Sequence, residues 1–291
     1  MNRKQIVVIV AVVAVMGYLY SLPVKGLVKP KVETANAGVD EGDGHEGHDH
    51  AEGAHNSTIV TVATVSEAAK AAIGPGLSVK INNLEAELTK AEGNDKLSLQ
   101  KQLAVSWDDV NQPAPAAFYY QAAAQNNKKP DDWLKAGNRF NDAYKLTQDT
   151  SAQPVFTLNA VEAFQNALKL KPNSLEAKTG LGVAYVNGGA TPMQGIALLL
   201  EVVKQEPNNR DANLNLGLFS MKSGQFEKAV QRFTTVINQK PEFEPYFYLG
   251  ESYKQLGRKN EAIAAYQKCK ELMPDPVFGQ RIDEYIKELK N

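Results

Sequence analysis

Cysteine and histidine are scarce in this sequence. Its single cysteine, Cys269, excludes an intrachain disulfide and any zinc site built from several cysteines. All four histidines lie within residues 44–55, so none remains elsewhere for general acid–base chemistry. The formal net charge of −1 gives no electrostatic reason to expect nucleic-acid binding, and no glycine-rich phosphate loop follows a strand pattern. We therefore expect a protein that is not an enzyme.

Charged residues are missing from the segment that follows a short basic tail at residues 1–5. Residues 6–22 are apolar apart from Gly17 and Ser21, and Pro23 ends the run. These 17 residues would rise about 25 Å as a helix, at the short end of what spans a hydrocarbon core. Tyr18 and Tyr20 fit an aromatic belt near one membrane surface. The pattern predicts a single transmembrane signal-anchor helix over residues 6–22.

A cleavable signal peptide is the alternative interpretation. Its cleavage site should follow the apolar run closely, but the best small-residue candidate, "ANA" at 35–37, lies well beyond it. A retained anchor is therefore favoured. Arg3 and Lys4 precede the span and three lysines follow it, so the charge rule is nearly balanced. The short tail favours an inside N-terminus, which places the rest of the chain on the extracytoplasmic side, in a bacterium the periplasm. A cytoplasm-facing chain is the alternative.

The histidines lie in an acidic, glycine-rich segment, "GHEGHDHAEGAH" at 44–55. Imidazole groups of His45, His48, His50 and His55 are suitable ligands for Zn²⁺, Cu²⁺ or Ni²⁺. The segment has no apolar residue pattern that would fix such ligands, and its glycines raise the entropic cost of ordering. We expect a disordered linker over residues 23–65, with weak metal binding as an open addition.

The C-terminal part of the chain contains an internal repeat. Residues 210–241, "RDANLNLGLFSMKSGQFEKAVQRFTTVINQKP", align with residues 243–274, "FEPYFYLGESYKQLGRKNEAIAAYQKCKELMP", at a constant offset of 33 residues. Four types of position coincide: Gly217 with Gly250, Gly224 with Gly257, Ala229 with Ala262, and Phe233 with Tyr266. Small residues at Gly217 and Ala229 would let two helices approach closely, and Gly224 would supply the turn between them.

This pattern resembles the tetratricopeptide repeat (TPR), a pair of helices A and B of about 34 residues. The resemblance implies an all-α, right-handed α-solenoid of helix–turn–helix repeats. Earlier copies are looser. Gly137 and Ala160 of the second copy are 23 positions apart, whereas Gly217 and Ala229 of the fourth are 12 apart, which predicts a longer A helix or a longer loop in the second copy. Cys269 takes the helix-B position of Ala167, so we expect it in the packed core. The units are N-terminal helices or a cap at 66–96, a divergent repeat at 97–129, repeats at 130–174, 175–209, 210–242 and 243–275, and a capping helix at 276–291.

In TPR arrays the A helices line a concave groove, and the resemblance assigns repeat positions 2, 5, 9, 12 and 13 to it. The corresponding residues are Asp131, Leu134, Asn138, Asn141, Asp142, Glu176, Thr179, Val183, Val186, Asn187, Asp211, Leu214, Leu218, Met221, Lys222, Glu244, Phe247, Glu251, Lys254 and Gln255. An apolar strip rimmed by acidic residues is typical of a protein-interaction surface. The predicted partner-binding groove consists of Asn138, Val183, Val186, Leu214, Leu218, Met221, Phe247 and Glu251.

The occupant of this groove is expected to be a protein segment, either an apolar or basic peptide or an amphipathic helix. Some TPR proteins hold a C-terminal carboxylate with basic residues, but Leu134, Asp211 and Glu244 occupy the matching positions here. Coverage of the strip by the protein's own N-terminal helices is the alternative. The resemblance implies a membrane-anchored adaptor for envelope protein assembly or translocation. A metal-handling accessory protein that uses the histidine segment and a cytoplasm-facing scaffold are the other interpretations.

Overall fold

The structure of the protein is a computed structural model that describes residues 60–290. Within this range the chain forms thirteen α-helices and one 3₁₀ turn, and it contains no strand. The helices are α1 Val62–Ile73, α2 Pro75–Leu88, α3 Gly93–Asp109, α4 Pro113–Asn127, α5 Pro130–Leu146, α6 Gln153–Leu170, α7 Leu175–Gly188, α8 Pro192–Gln205, α9 Arg210–Lys222, α10 Phe226–Gln239, α11 Phe243–Gln255, α12 Lys259–Leu272 and α13 Pro276–Lys290, with the 3₁₀ turn at Thr150–Ala152.

The helices from α3 to α12 form five consecutive hairpins. Each helix packs mainly against its neighbours in sequence, and the first helices of successive hairpins also touch: α5 contacts α7, α7 contacts α9, and α9 contacts α11. We call the first helix of each hairpin its A helix and the second its B helix. This stacking defines an all-α solenoid and confirms that part of the predicted fold. The predicted transmembrane helix at 6–22 lies outside the described residues; between residues 60 and 290, no helix has the length and apolarity of a membrane span.

A glycine on the A helix packs against a large side chain of the B helix in the same hairpin. A methyl group at Gly217 would lie 2.5 Å from the ring of Phe233, and one at Gly250 would lie 2.8 Å from the ring of Tyr266. Real side chains do not approach this closely, so only glycine fits at these positions. The 33-residue register therefore reflects a packing requirement that recurs from one unit to the next.

The turns between helices use a second kind of glycine. Gly224 and Gly257 have φ values of 73° and 70°, in the left-handed region that other residues rarely adopt. Both residues follow the end of an A helix and reverse the chain into the B helix. The predicted role of Gly224 in the turn is confirmed.

The second hairpin is larger than the fourth because three parts of it are extended. Helix α5 has 17 residues against 13 in α9, and α6 has 18 against 14 in α10. The connection at 147–152 is also longer than the one at 223–225, and it includes the 3₁₀ turn. The extra residues at 130–174 thus lengthen both helices and the loop, where the sequence alone predicted a longer A helix or a longer loop.

The N-terminal end begins earlier than the sequence suggested. Helix α1 starts at Val62, whereas residues 23–65 were predicted to be a linker and the helices were expected from residue 66. The cause is a reciprocal capping box in which the backbone N–H of Thr64 donates to Thr61 Oγ1 and that of Thr61 donates to Thr64 Oγ1. Residues 62–65 therefore belong to the helical part of the chain.

The C-terminal helix α13 covers the last hairpin with one apolar side. Phe278, Ile282, Ile286 and Leu289 are buried, and Tyr285 is half-buried. The opposite side of the helix is polar, and its Asp283 forms an ion pair with Lys270 of α12 at 2.6 Å. A terminal unit without a neighbour requires such a polar-backed cap.

The glycine packing makes a testable prediction about stability. Gly217→Ala should lower the free energy of unfolding by about 1–3 kcal/mol, because the added methyl group overpacks the seam against Phe233. Gly279→Ala is the matched control, since its methyl group would meet only the flexible end of Lys270 at 3.3 Å; it should be neutral or stabilise the protein by up to about 1 kcal/mol. Urea unfolding followed by circular dichroism measures both. Equal midpoints for the two variants would contradict the packing requirement.

Candidate partner-binding groove

The A helices form a face that curves inward. Lys145 lies at the end of α5 and Glu244 at the beginning of α11, with two further A helices between them along the chain. The Lys145 ammonium is nevertheless close enough to Glu244 to act on its pKa. The face formed by α5, α7, α9 and α11 is concave where the first three of these helices enclose a cavity, and we call it the A-helix face.

A solvent-open cavity of about 530 Å³ lies on this face between α5, α7 and α9. Its size falls within the range of about 300–1,000 Å³ that ligand pockets occupy. Helix α5 contributes polar and charged groups, and the other two helices also contribute apolar ones. The wall includes Asn138, Asn141 and Lys145 from α5, Glu176, Thr179 and Val183 from α7, and Asp211, Leu214 and Asn215 from α9.

Three of the eight predicted groove residues meet in this cavity. Asn138 is half-buried and donates from its side-chain amide to Glu176 at 3.4 Å. Val183 is buried and Leu214 is half-buried, and these two supply apolar parts of the wall. Val186, Leu218 and Met221 are also half-buried, but they do not line the cavity.

The last two predicted residues are engaged by the C-terminal part of the chain. The ring of Phe247 lies 6.1 Å from both Tyr266 and Tyr285, the latter on the capping helix α13. Glu251 is buried and accepts a hydrogen bond from the hydroxyl group of Tyr266. The structure thus distributes the eight residues over three environments, and partner binding by them stays a prediction.

Seven cavity residues lie outside the repeat positions used for the prediction: Arg139, Lys145, Leu175, Gly180, Glu206, Asn209 and Asn215. Arg139 follows Asn138 directly, so a wider window around the predicted positions would have included it. Lys145 lies in the final turn of α5, which is longer than the A helix of the fourth unit. The enlarged spacing in the second unit was the available signal for Lys145, but it did not show which part of the unit was longer.

The cations and carboxylates around the cavity are unequally paired. Arg139 donates to Asp108 at 2.7 Å and to Asp142 at 2.9 Å, and these two carboxylates raise the pKa of its guanidinium despite partial burial. Arg210 holds Glu242 and also contacts Asp211 at 3.1 Å. These two arginines are therefore already bound to carboxylates of the chain.

Glu244, next to this region, carries a perturbed pKa. Burial raises the pKa of its carboxyl above the ordinary value of 4.5, while Lys145 and Arg210 act in the opposite direction. The neighbouring Glu242 raises the pKa further. The fold therefore favours the protonated form of Glu244 more than the unfolded chain does.

In the described part of the chain, Cys269 is buried and no cluster of metal-ligating side chains is present. The prediction that Cys269 belongs to the packed core is confirmed: it is buried, its Sγ donates to the carbonyl oxygen of Phe243 at 3.2 Å, and burial raises its pKa to about 12. Among residues 60–290, no group of three or more His, Cys, Asp or Glu side chains is placed to hold a metal ion. His45, His48, His50 and His55 lie outside the described residues.

Comparison with known proteins agrees with the fold. The family model of the tetratricopeptide repeat matches residues 243–276, which comprise helices α11 and α12. A thermophilic TPR protein in Thermus thermophilus is 20% identical, with a TM-score of 0.52; the match covers 65% of this chain and 97% of that chain. Residues 243–276 therefore match the tetratricopeptide repeat, and the described part of the chain shares the fold of a TPR protein.

Two other solved structures are more distant. A crystal structure of MamA is 20% identical with a TM-score of 0.45, and it covers 62% of this chain and 92% of its own. YrrB, described as a TPR protein with an unusual peptide-binding site, is 18% identical with a TM-score of 0.42, covering 68% and 97%. No curated protein matches the sequence.

The raised pKa of Glu244 makes a prediction about pH and stability. At pH 7 the native surroundings disfavour the ionised form of this carboxyl, whose pKa burial raises, so Glu244→Gln should raise the melting temperature. As the pH falls through the raised pKa, the wild-type carboxyl becomes neutral too, and the difference should disappear. Thermal unfolding at pH 7 and pH 4 measures this.

Glu162→Gln is the control for this experiment, because it removes one charge from an exposed position on α6. It should change the melting temperature little at either pH. A lower melting temperature for Glu244→Gln at pH 7 would contradict the prediction, since attraction by Lys145 and Arg210 would then outweigh burial.

Proposed function

We propose that this protein is a non-catalytic, membrane-anchored adaptor that binds a partner protein through the cavity on its A-helix face. The observation that carries the proposal is the cavity itself, because three successive A helices converge on one solvent-open space of about 530 Å³. A small concave surface with mixed polar and apolar walls suits a segment of a protein chain.

The chemistry of the cavity supports a partner that presents an apolar or basic segment. Val183 and Leu214 offer apolar contacts, while Glu176 and Asp211 border the same space with carboxylates. Val186, Leu218 and Met221 extend the A-helix face with half-buried apolar groups, which suits a longer segment or an amphipathic helix.

The membrane part of the proposal rests on the sequence. An apolar segment at 6–22 with basic residues before it is typical of a signal anchor, and the linker that follows would space the solenoid from the bilayer. In this arrangement the solenoid is extracytoplasmic and acts in envelope protein assembly or translocation. Metal binding by the histidine segment stays a separate prediction.

Site-specific photo-crosslinking tests the binding site in intact cells. A benzoylphenylalanine in place of Asn215, which lines the cavity, should give at least about fivefold more adduct with partner protein than one in place of Leu158. Leu158 is the control because it is 71% exposed, lies on the B helix α6 and does not border the cavity.

Filling the cavity should remove the adduct. Asn138→Trp places an indole at a half-buried wall position, so crosslinking from position 215 should fall while the circular-dichroism spectrum stays the same. Equal crosslinking from positions 215 and 158, or an adduct that Asn138→Trp leaves unchanged, would count against the proposed site.

A reporter fused to the C-terminus tests the topology. Alkaline phosphatase, which requires an oxidising compartment for its disulfides, should be active on the full-length fusion, and a fusion that lacks residues 1–30 should be inactive. A fluorescent reporter that is active only in the cytoplasm should show the reverse: no fluorescence on the full-length fusion and fluorescence on the fusion that lacks residues 1–30. An inactive phosphatase on the intact, membrane-bound fusion would exclude the extracytoplasmic orientation.

A further inference from the structure

Two polar side chains in the cavity wall are almost fully buried. Thr179 is 6% exposed, and its Oγ1 has no hydrogen-bond partner among residues 60–290. Asn141 is 7% exposed and donates its Nδ2 to the carbonyl oxygen of Gly180 at 3.0 Å. Its Oδ1 accepts no hydrogen bond from the described residues. Thr179 Oγ1 is closed to solvent, whereas Asn141 Oδ1 is not, so the wall of the cavity offers Asn141 Oδ1 as an acceptor for a hydrogen-bond donor.

The charge that borders the cavity is negative once internal ion pairs are taken into account. Four carboxylates and two cations line it, and one cation, Arg139, is already bound to Asp142 and Asp108. Within the described part of the chain, Glu176 accepts a hydrogen bond only from the neutral amide of Asn138, at 3.4 Å. Asp211 shares the cation that it contacts, Arg210, with Glu242. An acidic ligand would meet uncompensated carboxylates here, whereas a cationic ligand would neutralise them.

We infer that the cavity binds the side chain of a lysine or arginine that projects from a segment of the partner protein. The cationic head group donates to Asn141 Oδ1, and Glu176 and Asp211 compensate its charge. The inference rests on the proposed function, because it assigns the chemistry of the segment that the same cavity binds.

The apolar wall fits the other part of such a side chain. Lysine and arginine carry a stem of methylene groups that packs on apolar surface while the charged head group finds its partners. Val183 and Leu214 supply that surface in the same cavity. Because the cavity is open along the A-helix face, the backbone of a longer segment lies outside while one side chain enters. This geometry favours a protein segment over a free amine, which a binding pocket would enclose on most sides.

Selection of a random dodecapeptide library displayed on phage tests the inference on the full-length chain in detergent micelles. The selected peptides should contain lysine or arginine, and replacing that residue with norleucine should weaken binding by about tenfold or more in fluorescence anisotropy. The double variant Glu176→Gln, Asp211→Asn should weaken binding of the unmodified peptide to a similar extent. Raising the salt concentration should also weaken binding to the wild type more than to this variant.

The matched control is the double variant Glu162→Gln, Glu227→Gln. It changes the net charge equally at two exposed positions on B helices that do not border the cavity, and it should bind as the wild type does.

The outcomes separate this inference from the proposed function. The selected peptides could lack basic residues, bind the Glu176→Gln, Asp211→Asn variant as tightly as the wild type and bind Asn138→Trp more weakly. This result would overturn the inference and leave the binding site in place. An absence of enriched peptides, or peptides whose affinity Asn138→Trp does not change, would overturn both. Competition by N-acetyl-lysine amide or spermidine at the concentration of the peptide itself would show that a free amine, and not a protein segment, is the occupant.

Discussion

The contact between a B-helix side chain and a glycine of an A helix holds this array together. The fully buried ring of Phe164 makes this contact twice, against Gly137 in its own hairpin and against Gly180 in the next hairpin. Phe233 similarly packs on Gly217 and stacks on Tyr248 of the following A helix, with ring centroids 5.6 Å apart. One side chain thus fixes both the separation of the helices within a hairpin and the position of the next hairpin. The cavity depends on this contact, since the spacing of α5, α7 and α9 sets its width.

The same contact explains why the fold could be predicted from the sequence. A glycine paired with an aromatic residue at a constant separation leaves a periodic signal, as Gly217 with Phe233 and Gly250 with Tyr266 show. The turn glycines Gly224 and Gly257 have the same regular spacing because each of these hairpins needs a left-handed residue at one point. The start of α1 left no such periodic signal, because it depends on the reciprocal hydrogen bonds of two threonines at that end of the chain alone.

The candidate site was less predictable because it depends on pairing between helices. Repeat positions indicate which residues face the groove, and Asn138, Val183 and Leu214 do meet there. They do not indicate that Arg139 reaches back to Asp108 in the preceding unit or that the capping helix engages Phe247. Such contacts decide which charges and apolar groups remain available. They become visible only when the geometry of neighbouring units is known.

The enlarged second hairpin has a consequence for how a ligand would be aligned. An array of identical hairpins offers the same surface at every step, so a long segment has several equivalent registers in which to lie. The extension of α5 breaks this equivalence, because it is the longest of the three A helices that line the cavity and places Lys145 beside it. A segment bound along the A-helix face, as proposed, would encounter one distinguishable end, which would fix both its register and its direction.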